Sequence, residues 1–223
     1  MSNPSLFPGP EGWLLAPEGA AIRRAERVAV VADVHLGYEW ARAAGGDCLP
    51  AHSLAETVAK LERLLARVRI DRLIVAGDLV ESASSCARTA DDVRRLIAWL
   101  DGRGVALVRI AGNHDPRRVP PLPATLDVAG WRVGHGHRPI DAPKTISGHL
   151  HPVLRGDGVT APCFLVGGST ILLPAFTPNA AGWNVANGPL PAGWGGLGLR
   201  CVASAGAEVL DFGPLSTLRA ALA

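Results

Sequence analysis

Apolar positions recur along this chain with two different periods, and the alternation between them predicts the architecture. Residues 13–22, interrupted by Pro17-Glu18-Gly19, read as a hairpin at a sheet edge. Residues 28–32 (Val-Ala-Val-Val-Ala) form an unbroken apolar run, the pattern of a strand covered on both faces. After a polar, glycine-containing loop, Ser53 is expected to cap a helix running to about residue 69. Leu54, Val58, Leu61, Leu64, Leu65 and Val68 form its apolar stripe. A second buried strand at 73–76, a helix at 89–100 with Val93, Leu96, Ile97 and Leu100 on one face, and a third strand at 105–110 complete a βαβ rhythm. From about residue 129 the pattern changes to short strands between Gly/Pro turns (128–133, 144–147, 162–166, 169–173, 200–212), a more antiparallel second sheet. Residues 177–198 read as a long surface loop. The expectation is an α/β fold, two sheets in one domain spanning 1–223.

Composition narrows the class without naming a chemistry. At 223 residues, 48% hydrophobic and 19% charged, the chain is a globular protein long enough to bury a core. A formal net charge of +2 forces no polycationic nucleic-acid surface. Arg117, Arg118, Arg132, Arg138 and Lys144 still cluster in sequence and allow a local basic groove. The four cysteines form no C-x-x-C pair and read as reduced thiols, with Cys163 and Cys201 in buried strands. The N-terminus lacks the pattern of a signal peptide, and no apolar run approaches membrane-spanning length, so a cytoplasmic protein with no membrane contact is expected.

The chemistry lies in five short motifs: Asp33-Val34-His35, Gly77-Asp78, Gly112-Asn113-His114-Asp115, Gly134-His135-Gly136-His137 and Gly148-His149-Leu150-His151. Six of the seven histidines fall within them. Imidazole and carboxylate are costly to bury without a purpose, and together they ligate divalent transition metals. The first three motifs follow predicted strands, whose carboxyl ends lie side by side in a parallel sheet, so distant loops are able to converge. If the backbone is extended at Asp33/His35 and at His149/His151, each pair points to one side. Taken singly, a D-x-H or a Gly-Asp is weak, because aspartate caps turns and histidine satisfies local hydrogen bonds.

Together and in this order the motifs resemble the calcineurin-like metallophosphoesterase superfamily, over residues 28–151. The resemblance implies an αββα sandwich of two sheets holding two divalent metal ions. It assigns Asp33, His35, Asp78 and His151 to the first ion, with Asp78 bridging to a second held also by Asn113, His149 and a histidine of the fourth motif. His135 is taken as that ligand. His137 is then a phosphate-contacting group or, equally, a solvated loop residue. The resemblance makes His114 the catalytic histidine, oriented by Asp115, and a hydroxide shared by the two ions the nucleophile. The mixed N/O donor set suits manganese, iron or zinc, and the resemblance favours Mn2+.

A narrower likeness joins Asp33-Val34-His35-Leu36-Gly37 and Leu49-Pro50 to Gly148-His149-Leu150-His151-Pro152, Ala161-Pro162-Cys163-Phe164 and Leu172-Leu173-Pro174-Ala175-Phe176. This order is similar to the bacterial ligase-associated DNA damage response endonucleases, and the chain departs from them after Phe176. It implies a manganese-dependent endonuclease on single-stranded DNA, with an ATP-dependent DNA ligase, a helicase and a nuclease as partners. Arg117, Arg118, Arg138 and Arg155 are candidate phosphate contacts, and Tyr38, Trp40 or Trp183 candidate stacking partners for bases. Two other readings stay open: a phosphodiesterase of nucleotides or other small phosphoesters, and a non-catalytic metal-bearing scaffold.

Overall fold

The computed structural model describes residues 6–116, 120–156, 158–189, 191 and 196–222. A six-stranded sheet runs in simple sequence order: β1 (Phe7–Pro8), β2 (Leu14–Ala16), β3 (Ala20–Arg23), β4 (Val28–Val31), β5 (Arg72–Ala76) and β6 (Ala106–Ile110). The first three neighbouring pairs are antiparallel and the last two parallel. The parallel crossovers are made by α2 (Ser53–Arg67) and α3 (Ala87–Asp101). Alternation along β4 and β5 divides the interior in two. Ala29, Val31, Leu73 and Val75 join one apolar cluster with Leu61, Leu64, Leu96 and Leu100 of the helices. Val28, Val30, Ile74 and Ala76 join a second cluster with Trp131, Val133, Ile146 and Phe164 of the other sheet. Strands buried on both faces need apolar residues at every position, which is why these runs are unbroken.

The second sheet contains β7 (Thr125–Val128), β8 (Trp131–Gly134), β9 (Thr145–Ser147), β10 (Pro152–Gly156), β11 (Val159–Val166), β12 (Thr170–Leu172), β13 (Trp183–Asn184), β14 (Arg200–Ala205) and β15 (Glu208–Pro214). Its order is β13-β10-β11-β12-β9-β8-β7, and β14 also pairs with β11 and carries β15. The outer face is covered by a seven-residue helix, α4 (Leu215–Ala221), through Leu215 and Leu218 against Cys163, Leu165, Leu172 and Cys201. Layered as helix, sheet, sheet, helix, the fold is the αββα sandwich expected.

Several local expectations are corrected. Ser53 does not cap α2 with its side chain; its hydroxyl accepts from the Gly37 amide at 3.1 Å and joins the helix to the loop after β4. The region after Gly37 is not wholly loop but holds α1 (Tyr38–Ala44). The single strand expected over 128–133 is the β7–β8 hairpin, turned at Ala129-Gly130 with φ of 49° and 79°. The segment 200–212 is likewise a hairpin, β14–β15, and α4 follows it. Within 177–198, β13 pairs in parallel with β10, and Val185 and Ala186 are buried. The second sheet is mixed, with parallel pairs β8·β9, β9·β12 and β10·β13.

Candidate metal centre

All five motifs leave the carboxyl ends of strands: β4, β5 and β6 in the first sheet, β8 and β9 in the second. Beyond β4 and β5 the chains stay zipped, with Val34 and His35 amides each donating to the Asp78 carbonyl at 3.0 Å and the Leu36 amide to Leu79 at 2.9 Å. From the other side, the Phe176 and Thr177 amides donate to the carbonyls of Ala32 and Asp33 at 2.8 and 3.1 Å. Glycine makes the approach possible. A Cβ on Gly112 would collide with Asp78, and one on Gly77, itself at φ +84°, with the His135 ring.

The motif backbones are not extended, contrary to expectation. Asp33, His35, Asp78, His149 and His151 have φ of 57°, 50°, 49°, 74° and 47°, five of the eight non-glycine residues with positive φ among the described residues. A left-handed non-glycine residue costs roughly 1–2 kcal/mol, and such outliers gather where the surrounding structure enforces them for function. Here the convergence comes from left-handed turns rather than from strand alternation.

The side chains meet in a buried pit. His151 Nε2 lies 3.2 Å from Asp33 Oδ1, and His135 Nδ1 lies 3.5 Å from the same oxygen. His135 Nε2 sits 3.1 Å from Asp78 Oδ2 and 2.9 Å from Asn113 Oδ1. The His149 ring is 4.9 Å from the His135 ring, and the His149 amide donates to Asp33 Oδ2 at 2.8 Å. Asp33, His35 and His151 form one group of clustered donor atoms, and Asp33, Asp78 and His135 another. The resemblance gives the bridge to Asp78, whereas Asp33 is the carboxylate common to these two groups. Burial opposes charge on Asp78, but contact with His135 and the His114 amide outweighs it and holds the carboxyl below its usual value. Burial also opposes protonation of His135, yet Asp78 and Asp33 beside it carry its pKa upward. Burial, then repulsion from His135, lowers His149 and His137.

These residues fit divalent cations. Asp33 Oδ1, His35 Nε2 and His151 Nε2 are buried without a hydrogen-bond partner, although Asp33 and His151 nearly touch. Orphaned lone pairs converging at this range cost several kcal/mol unless something positive completes them. Carboxylate, imidazole and amide are the ligands such a cation takes.

Asp115 does not orient His114. Its carboxylate accepts from the Leu79, Val80 and Gly112 amides at 3.1, 3.4 and 3.1 Å and pairs with Arg109 at 3.3 Å. It therefore ties the third motif to the second. His114 Nδ1 instead lies 2.6 Å from the main-chain carbonyl of Glu81, while the Glu81 carboxylate lies 2.8 Å from His35 Nδ1. Sequence reasoning missed Glu81; a lone glutamate three residues beyond Gly-Asp carries no signal of its own. His35, Glu81 and His114 form a third group of clustered donors.

His137 sits 5.1 Å, ring to ring, from His135 and shares with it and exposed Arg138 a cleft of about 230 Å³. Arg117 and Arg118 lie outside the described residues. Two candidate nucleic-acid contacts are already engaged: Trp40 Nε1 donates to Asp92 Oδ2 at 2.8 Å, and Arg155 donates to the Ala181 carbonyl. Trp183 belongs to β13 and packs against the outer cluster of the second sheet. Tyr38 opens α1. Among the described residues, no helix is long and apolar enough to cross a membrane.

The chain is 25% identical to the nuclease MPE of Pseudomonas putida, whose crystal structure superposes with a TM-score of 0.68 over 91% of this chain and 98% of that one. Over 96 residues, 41% of this chain, it is 36% identical to the DNA double-strand break repair protein Mre11 of Methanopyrus kandleri. The match spans only 20% of that protein's length. Residues 26–146, which carry the first four motifs, match the calcineurin-like phosphoesterase family model, and the chain belongs to that family.

Proposed function

We propose that the chain is a phosphodiesterase holding two divalent cations, manganese by preference, and that it cuts single-stranded DNA as an endonuclease in bacterial repair in the cytoplasm. One observation carries the reading: five loops from two sheets gather Asp33, His35, Asp78, Asn113, His135, His149 and His151 in one pit, where Asp33 Oδ1, His35 Nε2 and His151 Nε2 are buried without hydrogen-bond partners. We read the chain as one domain, because the cluster between the sheets is continuous with both. When bound, the cations supply Lewis acidity that neutralises phosphate charge and lowers the pKa of water.

The chain's own residues do the rest. A carbonyl only accepts, so the contact with Glu81 requires the His114 proton on Nδ1 and leaves Nε2 to exchange a proton with the departing oxygen. Asp115 fixes the loop that carries His114. His137 and Arg138 line the adjoining cleft, where a phosphate group finds positive charge and hydrogen-bond donors. DNA is favoured as substrate by the likeness to ligase-associated endonucleases, by the structural likeness to a nuclease and by the sequence likeness to a DNA double-strand break repair protein. An ATP-dependent ligase, a helicase and a nuclease are the partners this implies.

A labelled single-stranded oligonucleotide incubated with Mn2+ tests the reading, and internal cleavage is expected. Turnover of a small chromogenic diester with no oligonucleotide cleavage would sink the DNA assignment. It would favour the small-phosphoester alternative, with which a net charge of only +2 agrees.

A further inference from the structure

We infer that Glu81 is a positioning residue for two imidazoles at once, its carboxylate setting the His35 ring and its main-chain carbonyl setting His114. The inference rests on the reading of His35 as a cation ligand. Glu81 Oε2 lies 2.8 Å from His35 Nδ1, at ion-pair distance although the ring is turned off the hydrogen-bond line. A carboxylate accepts and does not donate, so this contact favours the tautomer with hydrogen on Nδ1. The bare Nε2, buried and without a hydrogen-bond partner, is then the nitrogen left to ligate a cation together with Asp33 and His151. The Glu81 carbonyl, 2.6 Å from His114 Nδ1, imposes the same tautomer on the second ring. The two rings stand edge to face at 5.1 Å.

Backbone pairing explains how one residue reaches both. Beyond β5 the chain continues parallel to the Asp33–Leu36 loop through a Leu36–Val80 bridge, and the Glu81 amide donates to the Leu36 carbonyl at 3.0 Å. Glu81 is thereby fixed next to His35, with its carbonyl directed at the third motif. Asp115, the neighbour of His114 in sequence, has its oxygens committed to three amides and Arg109. A carboxylate behind a metal-binding histidine fixes ring orientation and raises its basicity, and losing such a partner typically costs ~10- to 100-fold in metal affinity.

The test measures Mn2+ binding by titration calorimetry to wild type, Glu81→Ala and Glu81→Gln, and the imidazole tautomers by 15N NMR at alkaline pH without metal. Wild type is expected to show His35 and His114 both protonated on Nδ1. Glu81→Ala is expected to bind one Mn2+ ~10- to 100-fold more weakly and to show mixed His35 tautomers, with His114 unchanged because the carbonyl remains. Glu81→Gln, whose amide oxygen still accepts, should return to within a few-fold of wild type. A wild-type His35 proton on Nε2, or Glu81→Ala affinity equal to wild type, would overturn the inference. So would loss of one Mn2+ equivalent in Glu81→Gln as complete as in Glu81→Ala, which would make Glu81 a direct ligand. Wild type without Mn2+ affinity would overturn the reading of the site itself.

Discussion

The interior between the two sheets and the pit above it share β4, β5 and β9, with pit residues three to five positions beyond core ones, and they obey opposite rules. Val30, Ile74 and Ile146 are fully buried in extended backbone within one apolar cluster. A few residues on, Asp33, Asp78, His149 and His151 are left-handed and polar, and Asp33 Oδ1 and His151 Nε2 are buried without a hydrogen-bond partner. The core therefore holds the rim in a conformation that the rim's own residues disfavour, and the stability one gains the other spends. The comparison teaches that stability and chemistry are separable here by a very short walk along the chain.

The largest effect should follow loss of a pit carboxylate. Asp78→Ala is expected to cut metal-dependent phosphodiester turnover by about 10³-fold or more, the rate equivalent of several kcal/mol of lost Lewis-acid stabilisation. Its melting temperature should fall modestly, because the carboxylate accepts from the His114 amide and pairs with His135, and alanine keeps the left-handed backbone. Full activity with both metals bound would break the comparison. Next comes His114→Ala, for which turnover should fall by roughly 10²- to 10⁴-fold while metal analysis finds both cations in place; an empty site would make His114 part of the cage.

The core predicts the reverse pattern. Phe164→Ala, at a fully buried position, should cost about 3–5 kcal/mol in denaturant unfolding, with Mn2+ affinity of the folded fraction close to wild type. A large loss of affinity at unchanged stability would show that the two layers are not separable. The smallest effect concerns Lys60, whose ammonium donates to the Phe176 carbonyl at 2.6 Å. Burial, then the nearby Arg63 charge, lowers its pKa to about 8 from 10.5. Between those values the unfolded chain binds the extra proton, so this group makes stability rise with pH across the window, by about 1–3 kcal/mol. Lys60→Met removes the rise, and its stability relative to wild type should fall as pH goes from 8 to 10.5. A constant difference would mean that Lys60 titrates normally.

Much of this was legible in the residues, for identifiable reasons. Unbroken apolar runs and the Leu61/Leu64 and Leu96/Leu100 spacings are direct traces of burial, so β4, β5, α2 and α3 were readable. The pit residues were readable because imidazole and carboxylate types have few other reasons to cluster. What escaped depends on chain direction rather than residue type. Period-two reasoning assumed extended backbone at Asp33/His35 and His149/His151, where the turns are left-handed. The family resemblance set Asp115 to orient His114, but the turn aims the carboxylate at Leu79, Val80 and Gly112. α1 is seven residues long, lies between Gly37 and Gly45, and has no side-chain cap, so periodicity had too little to work on. Glu81 reaches His114 through a main-chain carbonyl, which every residue has.

The amides of Phe176 and Thr177 that clasp Ala32 and Asp33 set a lower bound on excision. A polypeptide stopped at residue 152, just past His151, would carry every donor in the pit yet lack the clasp that keeps Asp33 seated. A fragment that keeps this clasp on Ala32 and Asp33 extends through residue 177.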